Sequence, residues 1–165
     1  MAGVRNRRGF SLIEIMISVV LVGMSITALV VANNAFTMAN GAGADLSTAE
    51  FLVEQIRELT TMLPVSNPEA TSWTTFGPEE ATLAAYDDVD DFDNATFSPP
   101  ISANRTVLSD FSTFSQHVTV ENVNASNFDA VVGDADLLTD FVRVTVSVSQ
   151  HGGLISSTSW IRARL

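Results

Sequence analysis

The stretch that decides the fold is Arg7-Arg-Gly-Phe-Ser-Leu-Ile-Glu-Ile-Met-Ile-Ser-Val-Val-Leu-Val-Gly-Met24. A basic cluster, Arg5, Arg7 and Arg8, gives way to an apolar run that carries one carboxylate, Glu14. From Ile15 to Ala32 there are 18 residues without a charge, about the minimum that crosses a hydrocarbon core as a helix. The preceding arginines place the start of the chain on the cytoplasmic side and the remainder outside. A charge within a bilayer costs at least a few kcal/mol unless it meets a partner, so Glu14 has to be compensated by something.

Three readings compete for this segment. A secretory signal has a basic start and a short apolar run followed by a small-residue cleavage site. This run is long, and an acid stands near its beginning. A plain membrane anchor explains the length and leaves Glu14 without a purpose. The third reading uses every residue: Arg7 to Glu14, RRGFSLIE, resembles the leader and cleavage signal of type IV pilins and type II secretion pseudopilins, and the resemblance extends to about Ala35. It implies that a prepilin peptidase cuts between Gly9 and Phe10, that the new amino terminus on Phe10 is N-methylated, and that Glu14 serves assembly. It also implies that the apolar helix first anchors the subunit in the bacterial inner membrane and later forms the core of a periplasmic or cell-surface filament. Partners would be copies of this chain or other pilins, the peptidase and the inner-membrane assembly machinery.

Electrostatics agrees with that role. Cleavage leaves a positive amine on Phe10, and a Glu14 packed among helices finds its partner in the amine of a neighbouring subunit. Pairing at low dielectric offsets a desolvation cost that neither charge bears alone. Where many pilins place a proline, this chain has Val31 in ALVVANN, which leans toward a pseudopilin or minor pilin.

Composition limits the alternatives. The 165 residues carry 19 Asp+Glu against 8 arginines, with no lysine and no cysteine. Losing the first nine residues, with their three arginines, moves the formal charge from −11 to −14. That balance opposes nucleic-acid binding, which needs cations to neutralise phosphates. Without cysteine there is neither a disulfide framework nor a thiolate site. His117 falls in a strand pattern and His151 in a turn pattern, and no G-x-S-x-G, phosphate loop or HExxH is present. The chain reads as a structural subunit and not as an enzyme.

The expected fold class is α+β: a long N-terminal hydrophobic helix packed on a small C-terminal antiparallel sheet. Residues 1–9 read as leader, 10–40 as the membrane and filament-core helix, 41–63 as its amphipathic continuation and 64–165 as a head. Gly41 and Gly43 each cost about 1 kcal/mol in a helix, and Ser47-x-x-Glu50 has capping-box spacing. A bend or break near 41–44 with a restart near Ser47 is therefore expected. Leu52, Ile56, Leu59 and Leu63 make an apolar stripe, and Pro64 ends the helix. Residues 64–114 read as loops. In 115–165, Val118 and Val120 alternate, Val142, Val144, Val146 and Val148 share one face, and QHGG at 150–153 turns into a final strand.

YDDVDDFDNATFSPP, 86–100, gathers Asp87, Asp88, Asp90, Asp91 and Asp93. Such a cluster suits a hard cation, and these five are candidate Ca²⁺ ligands, although the glycine and terminal glutamate of an EF-hand loop are missing. The competing reading is a solvated loop pinned to the sheet by Tyr86, Phe92 and Phe97. The segment also resembles an acidic DDVDD stretch of some minor-pilin-like proteins, which implies a structural element. Trp73 and Trp160 read as packing residues. The sequons at Asn94, Asn104 and Asn124 are read as chance matches. A binding module forms the alternative function: a filament-tip or membrane-anchored adhesin that presents the 64–114 loops.

Overall fold

The computed structural model describes residues 9–67, 76–133 and 139–164. Trp73 and the arginines of the leader lie outside these. The chain divides after Gly43 into two units. The first is the apolar part of helix α1, which as a whole runs Leu12–Thr61. The second holds the rest of α1 and a five-stranded antiparallel sheet: β1 Thr96–Phe97, β2 Phe114–Asn124, β3 Asn127–Val131, β4 Phe141–Gln150 and β5 Gly153–Ala163. The spatial order is β1-β2-β4-β5, with β3 folded back on the far end of β2. The fold is thus α+β, a long helix with a C-terminal antiparallel sheet, as a pilin-like architecture requires.

The expected break near 41–44, with its restart near Ser47, does not occur: α1 stays helical through Gly41, Gly43 and Ser47. Ser47 therefore caps nothing, and the neighbouring Thr48 hydroxyl turns back onto the Ala44 carbonyl, 2.9 Å away. The reason is arithmetical. Two glycines cost about 2 kcal/mol together. A break would strip up to four N–H and four C=O groups of their intrahelical partners at the two new ends, and each new start would need its own nucleus.

Within the second unit the stripe behaves as its spacing demands. Ala49, Leu52, Val53, Ile56 and Leu59 are buried against the sheet valines, and Leu63 is half-buried at the end of the stripe. Val142, Val144, Val146 and Val148 are all fully buried, as are Val118 and, almost completely, Val120. The alternate residues Arg143, Thr145 and Ser147 are only half-buried, so strict period-two patterning gives one dry face. The β4–β5 hairpin closes through His151 and Gly152, at φ +50° and +81°. Two consecutive positive-φ residues are the requirement of a type I′ turn, which suits the twist of the strands.

Two internal strands were not legible from alternation: the two-residue β1, inside the 64–114 stretch read as loops, and β3. β3 follows Asn124-Ala-Ser-Asn127, where the Asn124 side chain accepts the Ser126 N–H at 2.8 Å and closes a short turn.

Gln116 ties the layers together. Fully buried on β2, its amide nitrogen donates to the carbonyls of Leu52 (2.8 Å) and Ile101 (3.1 Å), while its Oε1 accepts the Ile101 N–H at 2.8 Å. At the C-terminal end of α1, Arg162 donates to the carbonyls of Thr60 (2.6 Å) and Leu63 (2.9 Å). A guanidinium there satisfies exposed carbonyls and opposes the negative end of the helix dipole.

Candidate functional site

Two regions carry the residues singled out by sequence. The first is the start of α1. Helical structure begins at Leu12, so Ser11 occupies the N-cap. Its hydroxyl accepts the Glu14 N–H at 3.3 Å. Ser11-Leu-Ile-Glu14 thus forms one half of a capping box, with Glu14 at its third helical position. This cap was missed in the sequence, where the same spacing at Ser47–Glu50 drew the attention. The signal, Ser-x-x-Glu ahead of an apolar run, was present at 11–14. Glu14 also sits in the first helical turn, where a negative charge is favoured by the helix dipole.

Gly9 and Phe10 precede this cap outside the helix and are exposed, Phe10 at 77%. A peptidase that cuts between them meets backbone outside the helix. Every residue of α1 from Leu12 to Gly43 is exposed, and the apolar window buries 0% of itself within the chain. The helix is long and apolar enough to cross a membrane. Its hydroxyls need nothing from outside: Ser18, Ser25, Thr27 and Thr37 each donate to the carbonyl four residues back, at 2.7–3.0 Å. Among the described residues, no donor meets the Glu14 carboxylate. Glu14 is the one charged side chain of α1 between Leu12 and Gly43.

The second region is the acidic segment. Val89 and Phe92 are both 0% exposed. Phe92 is packed edge-on against Tyr86, with ring centroids 5.1 Å apart, and lies 6.4 Å from Phe97. The Val89 N–H donates to the Pro64 carbonyl just past α1. The expected pinning by Tyr86, Phe92 and Phe97 is thus observed. It has an electrostatic consequence, because Asp88, Asp90 and Asp91, interleaved with the anchors, are drawn to 0% exposure with them.

Part of that burial is compensated by backbone donors. Asp91 Oδ2 accepts the N–H groups of Asp87 (2.9 Å) and Asp88 (3.3 Å), Asp88 Oδ1 accepts that of Asp91 (3.1 Å), and Asp90 Oδ2 that of Gly77 (3.4 Å). Their other oxygens, Asp88 Oδ2, Asp90 Oδ1 and Asp91 Oδ1, are buried without a hydrogen bond, as is Glu80 Oε2. Glu79 and Glu80 join the cluster although sequence reasoning had passed over them; the signal, Pro-Glu-Glu at 78–80, was only that of a loop. Carboxylate oxygens of Asp87, Asp88 and Asp91 lie within 4.8 Å of one another, and so do those of Glu79, Glu80 and Asp91.

Asp93 is used differently: it accepts the Val120 N–H at 2.8 Å and an Asn94 amide hydrogen at 2.6 Å, fastening the segment to β2. The nearby Arg105 donates to the carbonyls of Leu83, Ala84 and Tyr86.

Crowding of negative charge away from water shows in the proton affinities. Burial, and then the Asp90 carboxyl beside it, push Asp88 up to about 9. The Asp91 carboxyl, and then burial, raise Glu80 to about 7. Burial is the main cause of the raised values of Asp90 and Glu79 as well.

The histidines take part in neither region. His117, exposed on β2, bridges Thr96 (3.0 Å) and Thr119 (3.5 Å), and His151 turns the hairpin. Trp160 is half-buried on the core with the Arg57 guanidinium 4.8 Å from its ring centre, a packing role.

Comparison with known proteins bears on the first region. A family model described as the prokaryotic N-terminal methylation motif matches residues 4–30. No curated protein and no solved structure matches the chain. The matched residues contain the basic cluster, Gly9, Phe10, the Ser11 cap, Glu14 and most of the apolar span. The chain therefore opens on a prepilin signal of the type IV pilin and pseudopilin kind.

Proposed function

We propose that this protein is a structural subunit of a type IV pilus-like or type II secretion pseudopilus-like filament. It is held in the inner membrane by the apolar part of α1, cut between Gly9 and Phe10, methylated on Phe10, and polymerised through the same helix. The observation that carries the reading is the methylation motif running directly into a 50-residue helix whose apolar part buries none of itself within the chain. Such a helix requires company, lipid first and other helices afterwards.

The move from lipid to filament exchanges one apolar environment for another, so the hydrophobic effect supplies little of its driving force. Side-chain packing and specific polar contacts have to supply it instead. Glu14 is the contact of that kind: paired with the amine of a neighbouring Phe10, it favours only the axial register in which acid and amine meet. A subunit out of register would carry a buried, unpaired carboxylate, which costs several kcal/mol.

The test is Glu14→Val. The variant should insert in the membrane and be cut as the wild type is, yet be absent from, or much reduced in, filaments sheared from cells. Incorporation at the wild-type level would remove the pairing from the mechanism. Failure of insertion would show that Glu14 acts before assembly.

A further inference from the structure

We propose that the groove between α1 and β5 of the head receives a lysine or arginine side chain from a second, different pilin-like subunit. The proposal rests on the filament reading, which puts other subunits beside the head. The groove measures about 460 Å³ and is lined by Ser47, Glu50, Phe51, Val53 and Glu54 of α1 and Thr158 of β5. Two acids, two hydroxyls and two apolar side chains make a mixed wall. Lysine and arginine suit such a wall, because their stems lie along apolar surface while the cation reaches a carboxylate. Glu54 already holds the Arg57 guanidinium, at 2.7 Å. Among the described residues, no donor meets the carboxylate of Glu50, which is exposed. Glu50, Glu54 and Glu58 stand four residues apart on one face of α1. Like charges at that spacing oppose the helix, and Arg57 relieves only one of the three. A cation from outside the chain relieves the row.

A second copy of this chain is a poor source of that cation. The sequence has no lysine. Arg57 and Arg143 are paired with Glu54 and Glu121, at 2.7 and 2.8 Å. Arg105 donates to the carbonyls of Leu83, Ala84 and Tyr86, Arg162 to those of Thr60 and Leu63, and Arg164 to the Ser66 hydroxyl at 3.1 Å. To fill the groove a copy would have to give up one of these bonds. In the filament reading its leader arginines leave with cleavage, and its new amine is committed to Glu14. The chain then carries a formal charge of −14. A copy that approaches the row of glutamates therefore meets repulsion, whereas a basic neighbour is drawn in. The groove thus favours a mixed filament, in which this chain sits beside a subunit of opposite surface charge.

The experiment installs the photo-cross-linking residue p-benzoylphenylalanine in place of Phe51, a groove residue that is 46% exposed. The full chain is expressed in its own cells, which are irradiated before filaments are recovered, and adducts are sequenced by mass spectrometry. We expect an adduct to a different protein that carries a prepilin-type signal, joined at a peptide that contains lysine or arginine. Glu50→Gln should lower its yield severalfold and Glu50→Arg should abolish it, while the urea midpoint of the head stays at the wild-type value because Glu50 is exposed. If Glu50→Arg lowers that midpoint, Ser47→Arg serves instead: it sets a cation of this chain in the groove and should block capture in the same way. Adducts between copies of this chain alone would overturn the proposal. So would filaments that contain the chain and yield no adduct, or a yield that a folded Glu50→Arg or Ser47→Arg variant leaves unchanged. Absence of the chain from filaments would remove the filament reading and this proposal with it, so the two failures are told apart.

Discussion

Gln116→Leu replaces a fully buried amide with an apolar side chain of similar size, so packing changes little while three hydrogen bonds vanish. The Leu52 carbonyl lies within α1 and keeps its helical environment. Ile101 is the loser: 2% exposed, it gives up the partners of both its N–H and its C=O. Each orphaned buried group costs about 1–3 kcal/mol, so the head should lose roughly 2–6 kcal/mol. For a unit of this size that is on the order of 10–20 °C in melting temperature. Urea unfolding of the full chain in micelles, followed by tryptophan fluorescence, reads the head without interference from the apolar helix. Gln116→Glu sharpens the test. A carboxylate still accepts from Ile101 but cannot donate to the two carbonyls, whereas its protonated form can donate once. The folded state therefore raises the pKa of this glutamate, and the stability the proton supports is present at low pH and lost as pH rises. A loss below about 0.5 kcal/mol for Gln116→Leu would mean that Gln116 does not bridge helix, loop and sheet, since even a single net hydrogen bond exceeds that value in most proteins.

Three further outcomes are expected. Arg162→Met retains the aliphatic stem and removes both bonds to the Thr60 and Leu63 carbonyls, and should cost about 1–3 kcal/mol by the same urea assay. Gly152→Ala places a Cβ at φ +81° in the β4–β5 turn and should cost roughly 1–2 kcal/mol, whereas an unchanged midpoint would show that the turn relaxes. With EDTA present, pH acts through the acidic cluster. Asp88 is raised from 3.8 to about 9 and Glu80 from 4.5 to about 7 on folding, so their protons favour the folded state. That stability is complete below the unfolded values, declines as pH climbs, and is gone above about 9. A melting temperature that instead rises across pH 5 to 9 in EDTA would contradict the burial of these carboxyls.

The residues that could be read in advance were those whose environment repeats. Val142 to Val148 alternate because one face of β4 is dry, and Leu52, Ile56 and Leu59 recur at helical spacing because one face of α1 is covered. Features fixed by competition between distant terms were not legible. Gly41 and Gly43 looked like a break because local propensity is countable, while the hydrogen bonds a break would forfeit are not visible in a seven-residue window. β3 was hidden by its shortness and by an exposed, non-alternating surface. At the amino-terminal region, the prepilin signal that contains Gly9, Phe10 and Glu14 could be recognised because it is local. The five aspartates could be listed but not sorted: only the fold shows Asp93 fastened to β2, Asp88, Asp90 and Asp91 drawn inward by Val89 and Phe92, and Glu79 and Glu80 brought in from a separate arm.

The most direct test of the filament reading is the identity of the first residue in the polymerised form. Filaments sheared from the cell surface, or pseudopili recovered from the periplasm, should yield this chain with an N-terminal peptide that starts at Phe10 and carries one methyl group on its amine, by mass spectrometry. Material that retains Met1, or begins anywhere other than Phe10, would leave Glu14 without its cationic partner and end the case for assembly through the amino terminus.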